Sequence, residues 1–285
     1  MSTSKSRPCA DCGNEFPSSA ERCPHCGRPG LFPNVFAADA AEERDALDNR
    51  YRLAMTEAVT RGADSIVKDF ENAVADSRAV IARSSHELLR LATSDNEIYG
   101  TYYNLIDGGV RIPEGSKWDI LRVLTDDALF PNYKEQIRFA SLSLNKNGLS
   151  NYGEFSIVLR TDLIAHRATV FEENCVLFMA HHNVKIAEAD KLPQGYRAVW
   201  NERAKLCAAK LSEKIDDSTR PDEYSDLLLR QGATSAKDEF VEVHIWGPMT
   251  VRTIEEVTVN NSKSASRAVN KSIKARLAKF KVKVS

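Results

Sequence analysis

The tightest constraint in this chain is a pair of cysteine knuckles near its start. Cys9-x2-Cys12 and Cys23-x2-Cys26 lie within the first 26 residues, and a glycine follows each pair, at Gly13 and Gly27. Each pair brackets a tight turn, Ala10-Asp11 in one and Pro24-His25 in the other. Two knuckles joined by a short loop bring four thiolates together, the donor set that a structural Zn2+ takes. Disulfides are the alternative, but they need an oxidising compartment. The N-terminus MSTSKSRPC carries no apolar run of the kind that directs export. Cys9, Cys12, Cys23 and Cys26 are therefore the candidate metal ligands. His25, inside its knuckle, is expected to face solvent, and Cys175 and Cys207 are expected to be buried thiols.

Residues 1–33 resemble a short zinc ribbon. Such a segment is too small to hold a core of its own, so metal binding would supply its folding energy. Few basic or aromatic residues surround the knuckles, which favours a structural or protein-docking role at least as much as nucleic-acid contact.

The pattern then changes. Residues 38–92 contain no proline and one glycine, Gly62. Apolar or small residues recur at Leu47, Tyr51, Met55, Ala58, Gly62, Ile66, Phe70, Ala73, Ser77, Ile81, Ser84, Leu88 and Leu91. The spacing predicts a helical arm over 38–93, either one rod of about 80 Å or two antiparallel helices broken near Gly62. A spacer or packing role between ribbon and body follows.

From residue 97 strand and turn signals enter, and a body over 97–260 is expected. Ile98–Tyr103 is aromatic and β-prone. Trp118–Leu124 fits a strand or a helix; as a strand it sets Ile120, Arg122 and Leu124 on one face. Phe139–Ser143 alternates and places Ser141 and Ser143 on the same side. A loop rich in Asn and Gly follows, then Tyr152-Gly153, a strand Phe155–Leu159 and a charged loop to Asn174. Val176–Met179 reads as a short buried strand, and Tyr196–Ile215 and Tyr224–Arg230 as helices. In the strand Glu239–Trp246, Phe240, Glu242, His244 and Trp246 share a face. A carboxylate there costs free energy unless something uses it. An exposed edge strand would explain it, but the flanking Phe240 and Trp246 argue for a half-covered cleft.

These residues resemble the bacterial toxin-type mono-ADP-ribosyltransferases. Phe139-x-Ser141-x-Ser143, Tyr152-Gly153, Arg167-Ala168-Thr169 through Asn174, and the strand of Glu242 followed by Thr253–Val259 carry the likeness, over roughly residues 97–260. The resemblance implies an α+β chain in which the zinc ribbon and helical arm precede a split β-sandwich with helices. It implies NAD as substrate, Glu242 as the essential carboxylate, and Arg122 as the first-strand arginine that holds NAD phosphates, with Arg111 and Arg138 as rivals. Ser141 and Ser143 would orient Glu242 or the ribose, and Tyr152 would stack on nicotinamide. Phe240 stands where arginine-modifying members carry a second Glu or Gln, so RNA, DNA or another protein group becomes the expected acceptor. A toxin or anti-phage effector restrained by an antitoxin or inhibitor protein would fit such an activity.

Other classes are weaker. There is no Gly-x-Gly-x-x-Gly or phosphate loop and no nucleophile elbow. A nuclease built on His166, Arg167 and Glu172 is a third option. The competing class is a zinc-ribbon adaptor without turnover, binding nucleic acid or protein.

The net charge of -1 conceals an asymmetry. Residues 262–285 hold Lys263, Arg267, Lys271, Lys274, Arg276, Lys279, Lys281 and Lys283 and no acid. Removing these eight from 39 basic residues leaves 31 against 40 acids. With Val269, Ile273, Leu277 and Phe280 at helical spacing, the tail reads as a basic amphipathic helix suited to a phosphate backbone, the acidic body or a partner protein. No apolar run approaches a membrane span, so a cytoplasmic protein without membrane partners is expected.

Overall fold

A computed structural model of the chain describes residues 6–9, 12–17, 20, 22–27, 30–101, 103, 117–185, 192–259 and 267–285. Arg111, Lys263, the turn Ala10-Asp11 and the turn expected at 113–116 lie outside the described residues. In chain order the structure opens with a two-stranded antiparallel ribbon, β1 (Ser6–Pro8) and β2 (Glu15–Pro17). Helices α1 (Pro33–Ala38), α2 (Ala41–Thr60) and α3 (Asp64–Ala75) follow, then β3 (Arg78–Arg83) and α4 (Ser85–Leu91). Next come α5 (Lys117–Leu129), β4 (Ile137–Ser143), β5 (Phe155–Leu159), α6 (Thr161–Ile164), β6 (Ala168–Phe171) and α7 (Cys175–His181). The remainder is β7 (Arg197–Val199), α8 (Arg203–Leu211), α9 (Tyr224–Leu228), β8 (Leu229–Arg230), β9 (Glu239–Phe240), β10 (Glu242–Trp246), β11 (Ile254–Val259), α10 (Arg267–Ala278) and β12 (Lys283–Val284).

Eight strands form one mixed sheet in the order β12-β11-β5-β3-β4-β10-β6-β7, antiparallel except for the β11–β12 pair. Directly opposed residues share a face. Ala140, Val243 and Ile245 therefore point with Ile81 and Ile157 into the larger core, where α2, α3 and α8 supply Leu47, Val67, Phe70 and Leu206. The opposite face carries Ile137, Phe171 and Trp246 against Leu129 of α5, its neighbour Phe130, and Phe178 of α7.

The arm expected over 38–93 is replaced by a helix pair and a strand. Gly62, at φ +70°, ends α2 in the left-handed region, with the Ala63 amide donating to the Ala58 carbonyl at 2.9 Å. Both helices lie on the sheet, so Ala58, Val67, Phe70 and Val74 are fully buried. Arg78–Arg83 is a central strand. Its apolar middle is buried on both faces, so it lacks the alternation of a half-exposed strand, and its Ser77–Ile81–Ser84 spacing imitates a helix.

No strand forms at Ile98–Tyr103 among the described residues; the Tyr99 amide instead donates to the Met249 carbonyl at 2.8 Å. Val176–Met179 lies in helix α7, whose start is capped by the Asn174 side chain accepting from the amides of Val176 and Leu177. The helix expected from Tyr196 begins as strand β7. Part of the loop expected at 160–174 is strand β6, paired to β10. The strand expected over Glu239–Trp246 breaks at Val241, and Phe240 pairs away with Leu229.

Eight of the strands lie in a single hydrogen-bonded sheet where two stacked sheets were expected, and β1–β2 and β8–β9 form separate two-stranded pairs. That sheet divides at its centre. β3 and β4 share only the pairs Arg78↔Ser143, Ala79↔Leu142 and Val80↔Ser141, although β3 runs to Arg83 and β4 starts at Ile137. Beyond this short ladder β3 stays with β5 and β4 with β10.

Candidate functional site

The four knuckle cysteines converge. Their sulfur atoms lie within 4.8 Å of one another, with Cys9 to Cys26 at 3.5 Å and Cys12 to Cys23 at 3.7 Å. Tetrahedral bonds of about 2.3 Å to a metal place sulfurs about 3.8 Å apart, so the cluster fits a metal ion. Gly13 and Gly27, at φ +70° and +72°, turn the chain so that their amides donate back to the carbonyls of Cys9 and Cys23. The Cys12 amide draws the Cys9 thiol down to about 7, the direction that favours a thiolate ligand. His25 is exposed.

The second site surrounds Glu242, on the face covered by α5 and α7. The carboxylate is 3 % exposed. Its Oε1 lies 3.7 Å from Arg122 Nη1, and its Oε2 is 3.0 Å from His244 Nε2. The Cys175 amide donates to Oε2 at 3.2 Å. Burial pushes this carboxyl upward, but the Arg122 charge, the His244 contact and the Cys175 amide hold it below the usual carboxylate range. It is a buried carboxylate kept ionised.

Arg122 is itself fixed. Its Nε donates to Asp126 Oδ2 at 3.0 Å, one helical turn on, and its guanidinium lies 3.9 Å from the Phe139 ring centroid. The Tyr103 hydroxyl donates to Asp126 Oδ2 at 2.8 Å, and the Cys175 thiol contacts Oδ1 at 3.6 Å. Burial drives the Cys175 thiol far above its ordinary value. The His244 ring packs edge-on against Phe130 and Phe139, at 4.8 and 5.3 Å between centroids.

The residues read from the sequence gather unevenly here. Ser141 lies directly opposite Glu242 in the β4–β10 register, yet its hydroxyl donates to the Val80 carbonyl at 3.3 Å, not to the carboxylate. Ser143 shares that face, two residues further on, and donates to Asn145 Oδ1 at 3.1 Å. Tyr152 is half-exposed; burial raises its phenol to about 12, followed by the charges of Asp238 and Glu242. Arg122 reaches Glu242 from a helix, so it is not a first-strand arginine. Arg138 stands on β4 but points to the other face, opposite Ile245. Phe240, Glu242, His244 and Trp246 do not all line one cleft, because Phe240 leaves the sheet.

The nuclease triplet is not brought together. Arg167 binds the carbonyls of Leu163, Trp246 and Pro248, while Glu172, beyond the far end of β6, pairs with Arg50 at 2.6 Å. Asp126, the Cys175 amide and Tyr103 were missed. Asp126 carries a legible signal, since it is spaced i,i+4 from Arg122 once that segment is read as a helix. The Cys175 amide depends on a tertiary approach that no local pattern announces.

Neither a known protein-family profile nor a curated protein matches the chain.

Proposed function

We propose that the chain is an NAD-dependent mono-ADP-ribosyltransferase whose reacting carboxylate is Glu242. One observation carries the reading: a buried, ionised carboxylate on β10 stands in register with Ser141 on β4, the two strands to which the resemblance assigns the essential Glu and the serines. Breaking the nicotinamide–ribose C1′–N bond builds positive charge on the ribose, and neutral nicotinamide leaves with the bonding pair. An ionised carboxylate stabilises that cation and accepts a hydrogen bond from the ribose hydroxyl. The acceptor then bonds C1′ and releases a proton. Tyr152, half-exposed and in electrostatic reach of Glu242, is the residue we assign to stack on nicotinamide.

The tail and the missing second acid favour a nucleic-acid acceptor. Arg267, Lys271, Lys274, Lys279 and Lys281 are exposed, while Ile273 and Leu277 of the same segment dock into the large core. The metal at the cysteine cluster is structural Zn2+, since all four donors are thiolates and no position is left open for catalysis.

A second reading, an adaptor without turnover, is favoured by a different fact. Glu242 already has three partners and almost no exposure, as a purely structural ion cluster would. Full-length protein incubated with adenine-labelled NAD and cell extract separates the two. The transferase releases nicotinamide and labels a macromolecule, the label is lost on nuclease digestion, and Glu242→Gln lowers the rate by roughly 10²-fold or more. Absence of nicotinamide release leaves the adaptor.

A further inference from the structure

On the face of the sheet opposite Glu242, three buried polar groups have no hydrogen-bond partner among the described residues: Arg83 Nε, Arg138 Nε and the Tyr99 hydroxyl. Protein interiors leave few such groups, and each needs a reason. These three lie together. Arg83 pairs opposite Phe155 and Arg138 opposite Ile245, so both project to the side of the larger core. Continuing the β3–β4 register from Val80↔Ser141 sets Arg83 across from Arg138, in the stretch where the ladder has stopped and the strands no longer bond. Arg83 Cζ is 4.9 Å from the Tyr99 ring centroid, and the charges of both arginines act on the Tyr99 phenol.

Like charges opposed on neighbouring strands destabilise a sheet, and burial adds to the cost. Arg138 is 5 % exposed, and among the described residues its guanidinium makes one bond, from Nη1 to the Gln136 carbonyl at 2.9 Å. Burial, then the charge of Arg167, lowers it to about 10. Arg167 bonds only carbonyls among the described residues. Among the described residues the carboxylate nearest this group is Glu87, 3.6 Å from Arg83 Nε. Arg138 therefore has no carboxylate within ion-pair distance among the described residues, and Arg83 has one.

We propose that Arg83, Arg138 and Tyr99 form a binding site for a phosphate group. A phosphate dianion offers acceptors to two guanidinium N–H groups and one hydroxyl at once. A carboxylate has only two oxygens for these three donors. The ligand arrives past Arg83, whose side chain is 23 % exposed. The site stands on these three residues and does not depend on ribosyl transfer or on Glu242.

The test measures the melting temperature of the full-length protein against inorganic phosphate, and separately against ADP, with chloride at matched ionic strength as reference. A saturable rise with phosphate is expected, absent in Arg138→Met. That variant should also melt higher than wild type in chloride, because an unmatched buried cation has been removed. Tyr99→Phe loses only the hydroxyl and should weaken the phosphate midpoint about tenfold or more, the worth of one hydrogen bond to a charged group. A tighter midpoint for ADP assigns the site to a nucleotide phosphate, and equal midpoints assign it to the free anion. Identical melting in phosphate and chloride overturns the proposal, as does an undiminished response in Arg138→Met. Should that variant not fold, an unchanged midpoint in Tyr99→Phe overturns it alone.

Discussion

Asn34 Nδ2 donates to the backbone carbonyl of His244 at 3.1 Å, tying the segment after the cysteine cluster to the strand that carries Glu242. The same amide group reaches the Arg167 carbonyl at 3.1 Å. Further up the chain, the Arg7 guanidinium lies between the ring of Phe16 in the ribbon and that of Phe36 in α1, and donates to the carbonyls of Leu31 and Ala20. Ribbon, α1 and β10 are thus joined by continuous contacts, and the ribbon docks directly on the body.

Asn34→Ala removes these bonds to the His244 and Arg167 carbonyls. It should lower stability by about 1–3 kcal/mol. Urea unfolding measures this, and a midpoint equal to wild type would show that the docking contributes nothing.

What was legible in the sequence and what was not divides along local and non-local lines. The cysteine cluster was fully legible, because ligand spacing within each knuckle and the glycine after it are local requirements. The position of Ser141 opposite Glu242 was legible in part: alternation fixed which way each side chain points, and pairing supplied the rest. Arg78–Arg83 was misread because a strand buried on both faces loses its period of two. Val176–Met179 was misread for the converse reason. A one-face apolar run of four residues carries no period, and the deciding signal was the Asn174 cap. The Arg83–Arg138 opposition depends on a strand that the helical reading had erased.

The Arg122–Glu242 pair should behave as a buried ion pair. Removing one partner leaves the other charge uncompensated, so Arg122→Met should cost about 3–5 kcal/mol. Glu242→Gln should cost less, since Asp126 still holds Arg122. In a double-mutant cycle by urea unfolding, the double variant should be destabilised by less than the sum of the two single effects. Strict additivity would mean that the 3.7 Å approach is energetically idle.

Acid should act through Glu242. Its folded pKa lies below that of an exposed glutamate, near 4.3 in an unfolded chain. The linked stabilisation is therefore complete above that unfolded value and is lost as pH falls through the lower folded value. The stability gap between wild type and Glu242→Gln should be constant from pH 7 to about 5 and shrink below about 4. A gap that widens on acidification would reverse the sign assigned here.

The cysteine cluster predicts one tightly held zinc ion per chain by atomic spectroscopy, and none in a Cys12→Ser/Cys26→Ser double variant. The ribbon's own buried set is Cys9, Phe16 and Cys23, with Ala20 against it, separate from the two cores of the body. Chelation should therefore make the ribbon sensitive to proteolysis while the main unfolding transition persists. Loss of that transition together with the metal would place the ribbon inside the cooperative unit.

The tail offers the sharpest contrast between two faces of one helix. Ile273 and Leu277 are fully buried in the large core, and Arg276 donates to the Leu89 carbonyl at 3.1 Å, fixing α10 against α4. Ile273→Ala should cost about 2–5 kcal/mol. Lys271 and Lys274, by contrast, are exposed and make no ion pair among the described residues, so replacing both with glutamine should leave stability within about 0.5 kcal/mol of wild type. Their effect should appear in nucleic-acid binding instead. For single strands, every phosphate that a cation neutralises adds about 0.7 to the steepness of the log–log salt dependence. The double variant should therefore bind a single-stranded oligonucleotide more weakly at low salt, with a slope shallower by about 1.4. Affinity and slope equal to wild type would assign these cations to solvation alone and withdraw the tail from acceptor recognition.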